Sequence, residues 1–205
     1  MQTNWKQAAF LLIGLVVLTA AAAHAQTDIS ASAFGTFNNS TSGNGTDQSS
    51  SNAGGGMIGV RHIFNPLLGV EFNFAVNGAK QALSTDPNTC ALRCNNQPLN
   101  VSATGLEFTA NYVVSKKIGS LTPFAEAGLG FVYTNPTGST IGLNSLSRPV
   151  WVGGGGTDWN FAPRLGLRLQ YRVNTYKAPD VYRGYSPTGG YVFMQEPMVG
   201  AFFRF

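Results

Sequence analysis

Arg164 to Tyr176 reads R-L-G-L-R-L-Q-Y-R-V-N-T-Y. Its odd positions are Leu165, Leu167, Leu169, Tyr171, Val173 and Thr175; its even positions are Arg164, Gly166, Arg168, Gln170, Arg172, Asn174 and Tyr176. Successive side chains of a strand point to opposite faces, so one face is an aliphatic row and the other carries arginines and amides. A helix would mix the two sets at 3.6 residues per turn, and the period of two therefore predicts a strand. Two settings fit. In a soluble sandwich the arginines would face water. In the other setting the apolar row faces outward into something that is not water.

The beginning of the chain bears on that choice. Lys6 lies in a short polar segment, Ala8 to Ala23 is uncharged and largely apolar, and Ala23-His24-Ala25 fits a small-x-small cleavage site. This predicts a secretory signal peptide over 1–25, with a mature domain over 26–205. The apolar run is slightly short for a membrane-spanning helix, and about 180 mature residues suit one domain. Charged residues make up only 11% of the chain, low against roughly 25% in globular proteins. The net charge of +4 falls by one when Lys6 leaves, too little and too scattered to suggest nucleic acid. An exported chain with so few charges is expected to turn much of its exterior away from water.

Eight patterned segments follow one another. Strands are predicted at Asp28–Phe37, Ala53–Phe64, Leu67–Gly78, Leu99–Val114, Leu121–Tyr133, Arg148–Trp159, Arg164–Tyr176 and Tyr191–Phe205. A bulge is expected near Gly105, where the alternation blurs. Long polar connections at 38–52, 79–98, 134–147 and 177–190 alternate with short turns such as Asn65-Pro66 and Ser115–Ser120. The strands exceed the five or six residues usual in soluble sheets and reach the 9–11 that a tilted membrane strand needs. Even strand number, alternating loop lengths and long strands predict an all-β, antiparallel up-and-down transmembrane β-barrel, with both termini at the short-turn end.

The charges point the same way. Glu71, Glu107, Glu126 and Glu196 are all the glutamates of the chain, and each falls within a strand on the face opposite the aliphatic row. Asp158, Arg61, Arg168, Arg172 and Arg204 fit the same face. Lipid offers no hydrogen bonds, so only a closed barrel satisfies every strand edge, and a charge on the lipid face costs about 2–4 kcal/mol at mid-bilayer. The expectation is a lumen filled by paired charges, with every glutamate in reach of an arginine. Arg172–Glu196 and Arg61–Glu71 are expected as neighbours on adjacent strands.

These features resemble the small eight-stranded outer-membrane barrels of Gram-negative bacteria, the OmpA/OmpX-like, porin-like class. The residues that carry the resemblance are the G-x-x-G-V-R run at Gly56–Arg61, N-P-L-L-G-V-E at Asn65–Glu71 and the last strand M-V-G-A-F-F-R-F. It spans the whole mature chain, without the periplasmic peptidoglycan-binding domain of full-length OmpA. The resemblance implies the cell outer membrane, periplasmic termini, outer-membrane lipid and lipopolysaccharide as surroundings, and insertion by the barrel-assembly machinery. It also implies that Phe203 and Phe205 form the C-terminal assembly signal.

Cys90 and Cys94 form a C-x3-C pair in an exported chain, which favours a disulfide; a metal site would want further ligands, and no His is nearby. Gly153 to Gly156 lacks the Lys-Ser/Thr of a phosphate loop and reads as strand, leaving room beside aromatics or allowing curvature. Trp151 and Trp159 lie on one face at a separation that suits two interfacial girdles. His62 is the one His of the mature chain and reads as an interface residue. No Ser and acid are arranged around it, so no catalysis, cofactor or metal is expected. Two function classes remain: a closed barrel serving a structural or surface-interaction role through its outer loops, and a small pore or carrier for small or hydrophobic solutes. An eight-stranded interior is just wide enough for side chains to fill it, which favours the first.

Overall fold

The computed structural model describes residues 26–85, 99–137, 142–182 and 185–205. Residues 1–25, expected to be a signal peptide, and Cys90 and Cys94, expected to form a disulfide, lie outside the described residues. Ten strands are present among them: β1 Gln26–Asn38, β2 Thr41–Gly43, β3 Thr46–Ser50, β4 Ala53–Asn65, β5 Leu68–Thr85, β6 Leu99–Ser115, β7 Leu121–Thr137, β8 Leu146–Asn160, β9 Leu165–Lys177 and β10 Tyr191–Arg204.

Eight of these close a barrel. Neighbours in sequence pair antiparallel from β4 through β10, and β1 pairs with β4 on one side and β10 on the other. The remaining two form a hairpin, β2–β3, that adds to the far end of β5 through Thr46↔Thr85 to Ser50↔Gln81. The alternation that predicts strands also sets their faces. On β9, Arg168, Gln170, Arg172, Asn174 and Tyr176 are buried while Leu165, Leu167, Leu169 and Tyr171 are exposed. The same inversion runs round the barrel, with Ile58, Phe72, Phe108, Leu129, Phe131 and Val199 all outside.

Four expectations are corrected. The segment 38–52 is not an open polar loop but contains the hairpin β2–β3, whose turn residues Asn44 and Gly45 both have positive φ. Residues 79–85 of the second long connection continue strand β5, so β5 and β6 stand well above the barrel at the long-loop end. In the third, β7 runs on to Thr137 and β8 begins at Leu146. No bulge occurs at Gly105, whose register with β5 and β7 is continuous. A Cβ at Gly105 would meet the Asn77 side-chain amide, which would have to move aside.

The short-turn end is stitched together around its circumference. Ser115 N–H donates to the Pro66 carbonyl at 2.9 Å, Asn160 N–H to Ser120 at 2.9 Å, Arg204 N–H to Arg164 at 2.8 Å and Phe205 N–H to Thr27 at 2.9 Å. Each turn is thereby tied to a neighbouring strand end or turn. The β1–β10 seam is less complete. Its pairing runs from Asp28↔Arg204 to Phe34↔Met198 and resumes at Phe37↔Gln195 in the same register. The gap falls where Gly35 and Thr36 face Pro197 and Glu196, and a proline has no N–H to give the ladder.

Candidate functional site: the filled lumen

The interior is layered. Next to the short turns, Arg61, Arg168 and Arg204 meet Asp28, Glu71 and Asp158, three cations against three anions. Asp158 and Arg168 are cross-strand partners, and Arg168 forks onto both oxygens of Asp158, Nε to Oδ1 at 2.7 Å and Nη2 to Oδ2 at 2.9 Å. The same Nη2 donates to Asp28 Oδ1 at 3.0 Å. Arg61 faces Glu71 in register and donates to it through Nε; its Nη1 lies 3.4 Å from Asp158 Oδ2. Arg204 sits 3.9 Å from Asp28 Oδ2 and donates to Asn160 Oδ1 at 2.9 Å.

Two inward aromatic rings fill the space between these ions. The Arg61 guanidinium lies 4.0 Å from the Phe124 ring centre, and Arg168 and Arg204 lie 5.3 and 5.1 Å from that of Phe202. Cations over ring faces are attracted by the ring quadrupole, more so when desolvated. A Cβ at Gly156 would collide first with the Leu169 carbonyl and would also sit 2.9 Å from Cζ of Phe124.

One step further in, Arg172 stands among three acids. Its Nη2 donates to Glu107 Oε1, and Asn174 Nδ2 donates to Glu107 Oε2 at 2.7 Å. Glu196 is the register partner of Arg172 but is held more loosely, with Nε 3.7 Å from Oε2. Glu126 departs from expectation: the groups that donate to it are amides, Asn111 Nδ2 at 2.8 Å and Gln170 Nε2, and no arginine pairs with it among the described residues. Amides supply donors without a second desolvated charge, which satisfies a buried carboxylate by hydrogen bonding alone. At the same height the other side of the lumen is apolar, built from Phe34, Met57, Ala75 and Met198.

The long-loop half of the lumen is more apolar than expected, although Thr36, Gln48, Gln81 and Thr134 are buried there too. Val132, Val150, Val152, Tyr176, Val192 and Met194 point inward and pack with Ala178 of the connection that follows β9. Ala178 and Val181 are buried, so this connection folds back over the mouth. Polar contacts hold it: Gln48 Nε2 donates to the Pro179 carbonyl at 2.9 Å, Asn144 N–H to Val181 at 3.0 Å, and Arg148 pairs with Asp180 at 2.6 Å. The hairpin joins the seal through Thr41–Thr188 at 3.1 Å and Asn44 Nδ2 to Pro187 at 2.7 Å. The space left beneath, lined in part by Thr36, Tyr176 and Met194, is about 30 Å³, room for one or two waters.

Sequence reasoning missed Asp28 and this apolar seal. Asp28 alternates with Ser30, Ser32 and Thr36 on the inward face of β1, a signal visible in the residues once the strand's parity is fixed. On the outside, Trp151 and Trp159 are 65% and 49% exposed, Trp151 near the middle of β8 and Trp159 at its short-turn end. Phe203 and Phe205 are exposed and meet edge to face with centroids 5.1 Å apart. His62 sits at the rim, its Nδ1 2.8 Å from Thr27 Oγ1 and its ring against Phe64. Among the described residues no group of three His, Cys, Asp or Glu is arranged to hold a metal ion.

A family model described as outer membrane protein beta-barrel domain matches residues 8–193. No curated protein matches the sequence. Among solved structures, the chain is similar to OprG from Pseudomonas aeruginosa, with 11% identity over 87% of this chain and 95% of that one and a TM-score of 0.60. It is similar to Ail of Yersinia pestis, the attachment invasion locus protein, solved with the heparin analogue sucrose octasulfate; identity is 17% over 89% of this chain and 100% of that one, with a TM-score of 0.53. Neisserial surface protein A gives 14% identity, 89% and 100% coverage, and a TM-score of 0.53. At these identities the likeness is one of fold.

Proposed function

The chain belongs to the outer membrane protein β-barrel family, and from that premise we propose that it is a closed barrel that works through its loop end. On this reading a signal peptide over 1–25 exports it, and the barrel-assembly machinery inserts it using Phe203 and Phe205. The termini and short turns then face the periplasm. The barrel sits in outer-membrane lipid and lipopolysaccharide, with Trp151 and Trp159 in the two interfaces. Segments 38–52, 79–98, 134–147 and 177–190 stand outside, available to an extracellular ligand or host surface, with Cys90 and Cys94 joined in the second.

One observation carries the closed reading. Glu71, Arg168, Arg172 and Glu196 line the lumen, yet each is at most 1% exposed. A conducting lumen would leave its lining open to water from at least one end; these side chains are shut off from both. The aliphatic seal above them supports the same conclusion, and so does the neutral ion-pair layer below.

Conductance in planar bilayers tests it. The purified barrel is expected to give no steady current, whereas a sustained ohmic current in the intact protein would replace this reading by that of a small pore. Tags inserted after Ser49 and after Pro187 are expected to be labelled on intact cells, and a tag at Lys117 is not.

A further inference from the structure

The short-turn end carries a one-sided charge pattern that the closed lumen does not use. Lys116 and Lys117 lie in the turn between β6 and β7, and Arg164 lies in the turn between β8 and β9. All three are exposed. Among the described residues, none of their side chains has an ion pair or a hydrogen bond. They are also the only exposed charged side chains at this end among those residues, because the acids nearby, Asp28 and Asp158, are buried and paired inside. The two turns are not independent. Asn160 N–H and Nδ2 both donate to the Ser120 carbonyl, at 2.9 and 3.2 Å, so the turns form one continuous stretch of rim.

That stretch borders hydrocarbon. Ile118, Leu121, Trp159, Phe161 and Leu165 are exposed around the cations, and Trp159 and Phe161 meet with centroids 6.1 Å apart. Exposed apolar side chains on a membrane barrel mark the depth of the acyl chains, and aromatic rings mark the headgroup boundary. Three unpaired cations at that boundary are therefore at the height of lipid phosphates.

We propose that the β6–β9 side of the short-turn rim is a binding site for acidic glycerophospholipid headgroups, with Lys116, Lys117 and Arg164 as its cations. The apolar flank argues for a lipid, since a soluble polyanion would gain nothing from Ile118, Phe161 and Leu165. Arg164 offers a planar fork suited to a phosphate, and the two lysines add mobile point charge. The site needs the membrane-spanning barrel but not a closed lumen, so conductance and lipid retention can fail separately.

The test is lipid retention. The full barrel is reconstituted into vesicles of mixed zwitterionic and acidic glycerophospholipid, extracted gently, and its bound lipid read by native mass spectrometry. Acidic lipid is expected to be enriched on the wild type, and the enrichment should fall as salt rises. Each of Lys116→Gln, Lys117→Gln and Arg164→Gln is expected to lower it by roughly fivefold at low salt, the effect of one cation near an anionic surface. Lys80→Gln with Lys177→Gln, at the opposite end, should leave it unchanged. Heat-modifiable gel mobility identifies the folded fraction of every variant. Equal retention by the triple variant and the wild type would overturn the proposal, as would equal loss in the loop-end control. Displacement of the acidic lipid by lipopolysaccharide in a rim-dependent manner would assign the site to the wrong lipid. Rim-dependent capture of isolated peptidoglycan without any lipid preference would replace the lipid by a cell-wall partner.

Discussion

Within one barrel, the half of the interior beside the short turns is built around ion pairs, and the half beside the long loops around an aliphatic cluster. Both exclude water, but by different physics. The ionic half must match charges one by one, because a buried ion left alone costs several kcal/mol while a paired and hydrogen-bonded one is tolerated. Asp158–Arg168 and Arg61–Glu71 meet that demand through strand register. The aliphatic half needs only volume, which Val150, Val152, Val192 and Met194 supply. Its gain is real because water is what it displaces. The outer belt of Phe, Leu and Trp, by contrast, stays in lipid whether or not it touches a neighbour. The lesson is that the ionic half sets the geometry of the lumen and the aliphatic half stabilises it.

The most damaging change should fall in the ionic half. Arg168→Met removes the cation that serves Asp28 and Asp158 and is expected to cost about 3–5 kcal/mol, the usual penalty for stranding a buried charge. Urea unfolding in lipid vesicles measures it. Adding Asp158→Asn and Asp28→Asn to that variant should restore a large part of the loss; no restoration would mean that packing, not charge, is what Arg168 provides. Met194→Ala, in the aliphatic half, should cost about 2–4 kcal/mol by cavity formation. It should also begin to admit ions, read as a rise in bilayer conductance. If Met194→Ala proves neutral, the seal is looser than its burial implies.

A finer contrast lies around Arg172. A double-mutant cycle between Arg172 and Glu107 should give a coupling of about 1–3 kcal/mol, as expected for groups in direct contact. The cycle between Arg172 and Glu196 should give less, because the latter pair is separated by 3.7 Å. Reversal of that order would show that the cross-strand neighbour, not the hydrogen-bonded acid across the lumen, is the true partner. The smallest effect is expected at the mouth. Asp180→Asn breaks a half-exposed pair with Arg148 and should change stability by less than about 1 kcal/mol.

How much of this was legible in the residues varies with the physics. Period two identified the eight barrel strands and assigned Arg168, Arg172 and the four glutamates to the inner face, since alternation is strong wherever one face is polar. It fell silent at Val150-Trp151-Val152, where both faces are apolar, and so the aliphatic seal went unseen. Asn44-Gly45 was an available hairpin signal inside a polar stretch, overlooked because the surrounding Ser, Thr and Asn read as loop. Which acid meets which arginine across the lumen depends on barrel stagger and radius, and no local pattern encodes that; Glu126 with its two amides is the instance. The turnback of Ala178 to Val181 over the mouth is likewise a tertiary event, resting on contacts to Gln48 and Asn144 that are far away in sequence.

The interrupted ladder beside Pro197 bears on how the barrel comes into being. The β1–β10 seam joins residues about 170 positions apart, such as Ile29 and Phe203, whereas every other seam of the eight-stranded barrel but β1–β4 joins strands adjacent in sequence. Closing so long a loop carries the greatest entropic penalty of any pairing here, and contacts of that range form late. The seam expected to zip last thus also has a gap in the middle of its ladder. In the finished protein it is the place where the cylinder should first come unfastened: on heating, amide exchange should appear around Phe34–Phe37 and Gln195–Met198 before it reaches the unbroken β6–β7 ladder. The barrel has a clasp, and Pro197 marks where it is fastened least.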